Sequence, residues 1–156
     1  MMKKVTAKIN VGFTFDPNHK GAPFTLDGVH WMNNGEFMEV VAKSVLGYEC
    51  RKDANTPYDK GSDIEEINAS VKSSRATVVN MKLADTFEES MDIFFERVHS
   101  TQFIYATAIE DEATLYFMDA PQFREFLQNW AGLNERGFMR LKATSGKMLK
   151  WLEERC

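Results

Sequence analysis

The chain has little of what marks several large protein classes. Its two cysteines, Cys50 and Cys156, form no metal-ligand or redox spacing, and reduced thiols in a cytoplasm are predicted. No apolar run approaches the roughly 20 residues of a membrane-spanning helix, so no membrane association is predicted. The first ten residues are basic, with lysines at positions 3, 4 and 8, but no apolar segment follows, which is not the pattern of a secretory signal. These absences predict a cytoplasmic protein.

The sequence also has no excess of positive charge. Its formal net charge is −4, whereas proteins that hold nucleic acid through phosphate contacts usually carry a basic field. Any contact with nucleic acid must therefore come from a local patch. The three histidines have no mutual spacing for a zinc site or a catalytic dyad. An acidic balance fits an enzyme whose carboxylates hold metal, and it fits equally a protein that binds other proteins.

What the chain does have is the composition of one ordinary globular domain. Its 156 residues are 44% hydrophobic and 27% charged, enough for a buried core. Alternation and capping residues predict a mixed α/β fold, with a mixed or mostly antiparallel sheet covered by helices. The predicted strands lie at 3–13, 67–74, 76–83, 102–109, 113–119 and 137–144, a hairpin at 24–32, helices at 35–47, 87–98, 121–133 and 146–155, and a polar loop at 48–62.

A polar constellation lies on and before the predicted strand 67–74. Asp63 comes seven residues before Ser70 and nine before Lys72. Side chains alternate along a strand, so Ser70 and Lys72 share one face, and Asp63 can meet that face from the preceding turn. A hard divalent cation takes oxygen ligands, and a lysine beside it can orient water and offset charge on a reacting phosphate. These residue types are typical of phosphodiester hydrolysis.

The same residues resemble the PD-(D/E)XK, or restriction-endonuclease-like, nuclease superfamily. Its core has the order αβββαβ, and its motif is an Asp, a variable gap and then acid-x-Lys. The resemblance covers roughly residues 33–109, with 1–32 and 113–156 as additions to the same domain. It implies that Asp63 is the first acid, Lys72 is the lysine, and Glu39 or Glu36 is the glutamate of the first helix. It further implies Mg²⁺ or Mn²⁺ held by Asp63, Glu39 and Glu36.

Ser70 departs from the family pattern, because it stands where the second acid belongs. Some members of the superfamily carry Ser-x-Lys and draw the missing carboxylate from a helix, which here means Glu36 or Glu39. Glu88 on the following helix and Glu65 are weaker alternatives. Ser70 itself then becomes a polar group beside the catalytic Asp63 and Lys72. The predicted substrate is nucleic acid, DNA or RNA, with Arg75 and Lys82 as backbone contacts and a homodimer as a possible state.

Ordinary structural explanations exist for each of these residues. Asp63 lies in turn composition, Lys72 suits a solvated strand edge, and glutamates in the first turns of a helix favour its dipole. A second functional hypothesis therefore stays open. On it, the chain is a catalytically inactive binding module with a nuclease fold, acting on a protein partner. Such modules resemble accessory proteins of mobile elements and phages, including anti-CRISPR inhibitors that bind a nucleic-acid enzyme.

Overall fold

The structure is a computed structural model that describes residues 1–9, 13–15, 24–26, 31–32, 34–48 and 63–156. Within these ranges the chain alternates strands and helices. The strands are β1 Lys3–Lys8, β2 Phe13–Phe15, β3 Phe24–Leu26, β4 Trp31–Met32, β5 Ala69–Lys72, β6 Gln102–Ile109, β7 Glu112–Met118, β8 Ala131–Leu133 and β9 Met139–Leu141. The helices are α1 Asn34–Val45, α2 Phe87–Arg97, α3 Ala120–Trp130 and α4 Gly146–Glu153, with a 3₁₀ turn at Glu65–Ile67.

The main sheet has four strands in the order β1-β7-β6-β5. β7 is antiparallel to both β1 and β6, whereas β5 and β6 are parallel and are connected through α2. Two smaller antiparallel sheets contain β2-β3-β4 and β8-β9. The predicted mixed α/β class, a mixed sheet with flanking helices, is confirmed.

Alternation along β6 divides the core into two clusters on opposite faces of the sheet. Phe103 and Tyr105 belong to a cluster formed with α2, α3 and α4, whereas Ile104 and Ala106 belong to a cluster formed with α1. Successive side chains of a strand point to opposite faces, and both sets on β6 are apolar because helices cover both faces. The helix α1 is therefore held against the sheet where β5 and β6 run parallel.

The helix boundaries follow from capping residues in the sequence. Thr86 Oγ1 accepts from the Glu89 backbone N–H at the start of α2, and Asp119 forms a reciprocal capping box with Gln122 at the start of α3. Ser145 caps α4 in the same way, through the backbone N–H of Met148. These predicted helix starts are confirmed.

A glycine ends α1 by a Schellman arrangement. Gly47 has φ +79°, the Tyr48 N–H donates to the Lys43 carbonyl at 2.8 Å, and the Gly47 N–H donates to the Ser44 carbonyl at 3.1 Å. Glycine reaches this left-handed conformation without the steric cost that a Cβ imposes. The end that the sequence predicts for this helix is confirmed.

One predicted strand is wrong. Residues 76–83 form no strand, and their sheet-like pairing is limited to a bridge between Thr77 and Arg140. The segment does run beside β9, because the Val78 N–H donates to the Met139 carbonyl and the Leu141 N–H to the Ala76 carbonyl. Between α1 and α2 the described residues therefore hold β5 alone, where the αβββαβ order has three strands. Residues 27–30 of the predicted hairpin and most of the predicted loop 48–62 lie outside the described residues.

None of the helices that the structure describes has both the length and the apolar character needed to cross a bilayer.

Candidate functional site

Asp63 is fixed against the edge of β5 that faces away from β6. The neighbouring Ile64 bridges Ala69 through two backbone hydrogen bonds of 3.0 Å, which brings the chain before β5 alongside the strand. One residue further, Asp63 Oδ2 accepts a 2.7 Å hydrogen bond from the backbone N–H of Val71. The carboxylate therefore occupies a strand position, satisfies an N–H that would otherwise be unpaired at the sheet edge, and is held in one orientation.

Glu39 reaches Asp63 from α1. Phe37, Met38 and Val41 bury the apolar side of this helix against β5 and β6, which holds Glu39 half-buried beside the strand edge. The carboxyl groups of Glu39 and Asp63 lie within hydrogen-bonding reach of each other.

The environment of Glu39 raises its pKa to about 8, from the usual 4.5. Burial is the largest cause, and the negative charge of Asp63 and the hydrogen bond to it act in the same direction. Lys72 and Lys43 oppose this shift, because their positive charges favour the ionised form of Glu39. At neutral pH the carboxyl group of Glu39 is therefore mostly protonated.

Lys72 and Glu39 line one cavity of about 610 Å³. The cavity lies at the C-terminal end of β5, between α1 and the segment that follows the strand. Its remaining described lining residues are Gly35, Val71, Ser73, Ser74, Arg75, Ala76, Thr77 and Arg140. The structure thus brings together Glu39, Asp63 and Lys72 from three places in the sequence. Glu39 and Asp63, the acid pair, lie at the edge of β5, and Lys72 lies in the cavity wall.

Ser70 is not part of this grouping. Its hydroxyl is hydrogen-bonded at 2.6 Å to the hydroxyl of Ser100, which lies just before β6, and Ser70 does not line the cavity. Ser70, which stands where the motif has its second acid, therefore connects the N-terminal ends of the parallel strands β5 and β6. Its sequence position beside Lys72 does not bring its oxygen to the acid pair.

The other candidate carboxylates lie elsewhere or outside the described side chains. Glu65 is exposed on the 3₁₀ turn, and Glu88 forms a 3.5 Å ion pair with Arg124 on the side of the sheet that carries α2 and α3. Glu36 belongs to α1, but its side chain is outside what the structure describes. Of the alternatives to the second acid, Glu39 is the one that the described structure places against Asp63.

The two predicted nucleic-acid contacts differ in position. Arg75 lines the cavity, whereas Lys82 forms a 2.8 Å ion pair with Asp85 and is not a lining residue. Arg140 lines the cavity although the spacing around Asp63 gave no reason to include it. Its exposed position between buried Met139 and Leu141 on β9 is readable as alternation, but the pairing of β9 with Thr77 is a tertiary fact.

The acid pair has the donor chemistry of a small hard-cation site. Mg²⁺ is usually held by one or two carboxylates, with water and substrate phosphate completing its coordination, and Glu39 and Asp63 are two carboxylates in contact. Among the described residues, no group of three His, Cys, Asp or Glu side chains converges. The two described carboxyl groups therefore suit a cation that keeps water or takes phosphate oxygens in its remaining positions.

Comparison of the chain with protein-family models, with curated proteins and with solved structures finds no significant match. The resemblance to the PD-(D/E)XK superfamily stays a prediction that depends on the motif residues.

Proposed function

We propose that the cavity is the active site of a metal-dependent phosphodiesterase acting on nucleic acid. The observation that carries the proposal is the contact between Glu39 and Asp63, in a cavity region that Lys72 also lines. Bringing two half-buried carboxyl groups together, one of them protonated, costs desolvation, so stability alone does not account for the pair. A divalent cation in place of that proton neutralises both acids at once.

The chemical roles follow from charge. Glu39 and Asp63 would hold Mg²⁺ or Mn²⁺, which when bound supplies Lewis acidity and an activated water. Lys72 provides a positive charge that is fixed in place before the reaction, where the phosphate gains negative charge in the transition state. Asp63 is oriented by the Val71 N–H, so its carboxylate keeps its orientation when Glu39 loses its proton.

A hydrolysis assay tests the proposal. The purified protein is incubated with single-stranded and duplex DNA and RNA, in Mg²⁺, in Mn²⁺ or in EDTA. We expect cleavage in a divalent cation, none in EDTA, and loss of cleavage in Asp63→Asn and Glu39→Gln. The matched control is Glu66→Gln, which removes an exposed carboxylate three residues from Asp63 and should cleave like the parent.

Cation binding gives a second measurement that does not depend on turnover. Isothermal titration with Mn²⁺ should show a site in the parent and in Glu66→Gln that Asp63→Asn abolishes. Absence of both cleavage and a cation site in the parent would contradict the proposal.

A second candidate function is the catalytically inactive binding module. What favours it is the position of Ser70, whose bond to Ser100 leaves the described site with two acids where the superfamily motif has three. On this hypothesis the protein binds a partner with no divalent cation, and neither Asp63→Ala nor Lys72→Ala weakens that binding. The cation titration separates the two functions.

A further inference from the structure

A tight turn directly after β5 forms part of the cavity wall. The Ala76 N–H donates to the Ser73 carbonyl at 3.0 Å, so residues 73–76 are the four positions of a β-turn. Arg75, at the third position, has φ +59°, and Ser74 is not among the described residues with positive φ. This is the type II pattern, in which the third position favours glycine or asparagine. The backbone of an arginine at this position is strained, so the presence of Arg75 calls for an explanation in what its side chain does.

The turn is held from several sides. The Arg75 N–H donates to the Lys142 carbonyl at 3.3 Å, and Ser74 Oγ accepts from the Thr144 backbone N–H at 3.0 Å. The Thr144 hydroxyl is in turn hydrogen-bonded to the buried Tyr105. These hydrogen bonds hold Arg75 in its strained backbone conformation, and strained conformations persist at binding sites when the surrounding structure fixes them in this way.

A second arginine lies against this turn. Arg140 Nε donates to the Arg75 carbonyl at 3.0 Å, which places the guanidinium of Arg140 beside the backbone of Arg75. Both residues are exposed and line the cavity. Neither forms a salt bridge with a described carboxylate, in contrast to Arg124 and Arg155, which are paired with acids. Two arginine residues that line one cavity without a described acid partner give it positive charge, which attracts an anion.

We propose that Arg75 and Arg140 form a phosphate-binding pair that holds the sugar–phosphate backbone of a nucleic-acid strand beside the acid pair. The inference rests on the proposed function in taking the same cavity and the same class of substrate. A guanidinium fork matches the oxygen geometry of a phosphate, and Arg140 keeps its Nη donors for that purpose. Because the chain carries a net charge of −4, phosphate contacts depend on such a local patch.

The test measures binding in EDTA, so that it does not require cleavage. Fluorescein-labelled single-stranded DNA, single-stranded RNA of the same sequence, and the DNA duplex are titrated with protein by anisotropy over a series of salt concentrations. We expect Arg75→Gly and Arg140→Gln each to weaken binding about tenfold. Each should also lower by about 1 the slope of log K against log salt, because one phosphate contact is lost.

Two controls separate charge from backbone effects. Arg97→Gln removes an exposed arginine from the last turn of α2, away from the cavity, and should leave the salt slope unchanged. Glu110→Gly relieves the same kind of strain, at φ +56° in the β6–β7 turn, and should not weaken binding. Arg75→Gly should not lower the melting temperature, so weaker binding in that variant cannot come from unfolding.

The outcomes distinguish this inference from the proposed function. Weaker binding in both variants supports the phosphate pair even if the parent protein cleaves nothing, and in that case the phosphodiesterase proposal alone fails. Cleavage by the parent with undiminished binding in both variants overturns the phosphate pair and leaves the phosphodiesterase. A parent protein that binds none of the three probes overturns the phosphate pair as well.

Discussion

At the scale of single residues, Lys72 has two separable properties, its packing and its charge. It is half-buried on β5, and its truncation to alanine is close to an ordinary surface substitution, with a cost under about 1 kcal/mol. Removing a charge fixed beside a reacting phosphate costs about 3 kcal/mol or more in transition-state stabilisation, which is about a hundredfold in rate. We expect Lys72→Ala to keep its melting temperature and to lose cleavage, measured by calorimetry and by the metal-dependent assay. Full cleavage in the variant would remove Lys72 from the reaction.

The contribution of Glu39 to the free energy of unfolding should fall as the pH rises. Its folded-state pKa of about 8 lies above the usual 4.5, first because of burial and then because of Asp63. The folded protein therefore keeps a proton that the unfolded chain releases, and this contribution is full below pH 4.5 and is lost as the pH rises through 8. At about 1.4 kcal/mol per pKa unit the loss amounts to a few kcal/mol at most.

Urea unfolding in EDTA at a series of pH values measures this effect. We expect the parent to lose stability between about pH 5 and pH 8, and Glu39→Gln to lose much less, because an amide has no proton to release. The exposed Glu66→Gln should follow the parent. Equal pH dependence in the parent and in Glu39→Gln would show that Glu39 is ionised in the folded protein at neutral pH.

At the scale of elements, α1 carries Glu39, and its end depends on Gly47. Gly47 has φ +79° and a Cβ added there would meet nothing within 4 Å, so alanine would suffer only from the left-handed backbone. We expect Gly47→Ala to lower the free energy of unfolding by about 1 kcal/mol. Gly132 on β8 is the matched control, because its Cβ would also meet open space and its φ is not in the left-handed region. Gly132→Ala should change stability by less than about 0.5 kcal/mol, measured in urea.

The elements that local chemistry determines were predictable from the sequence, and those that depend on a distant partner were not. Caps at Thr86, Asp119 and Ser145 mark helix starts because each side chain bonds a backbone N–H three residues ahead. Residues 76–83 carry the β-branched pattern of a strand, yet their partner is β9, some sixty residues later, and the pairing is limited to Thr77 and Arg140.

The candidate site likewise has features that the local sequence predicts and features that depend on tertiary contacts. Strand spacing placed Asp63 and Lys72 in one region, and helix position made Glu39 a candidate for the missing acid. The contact between Glu39 and Asp63 results from the packing of α1 on β5, which no spacing encodes. The bond of Ser70 to Ser100 likewise joins two parallel strands whose connection passes through α2.

At the scale of the whole molecule, one carboxylate joins β1, β7 and α4. Glu153 Oε1 accepts from the Tyr116 hydroxyl and Glu153 Oε2 pairs with Lys4, each at 2.7 Å. The bond to Lys4 and then the bond to Tyr116 lower the pKa of Glu153, although exposure of the carboxylate limits the energy involved. We expect Tyr116→Phe to cost about 1 kcal/mol, the value of one net hydrogen bond.

A double-mutant cycle measures that contribution. Tyr116→Phe, Glu153→Gln and the double variant are compared in urea at neutral pH. Since the pair acts together, the double variant should cost less than the two single costs added. Strict additivity would mean that the contact between Tyr116 and Glu153 contributes nothing to stability.

The pairing of β1 with β7 has a consequence for synthesis on the ribosome. Thr6 on β1 and Thr114 on β7 are hydrogen-bonded to each other across 108 positions of the chain. Within the main sheet, β1 is therefore synthesised well before its partner β7, and its alternating residues stay exposed to other nascent chains and to chaperones in the meantime. A ribosome stalled before Glu112 would carry β1 without the strand that pairs with it in the described sheet, and the sheet can be completed only after β7 has been released.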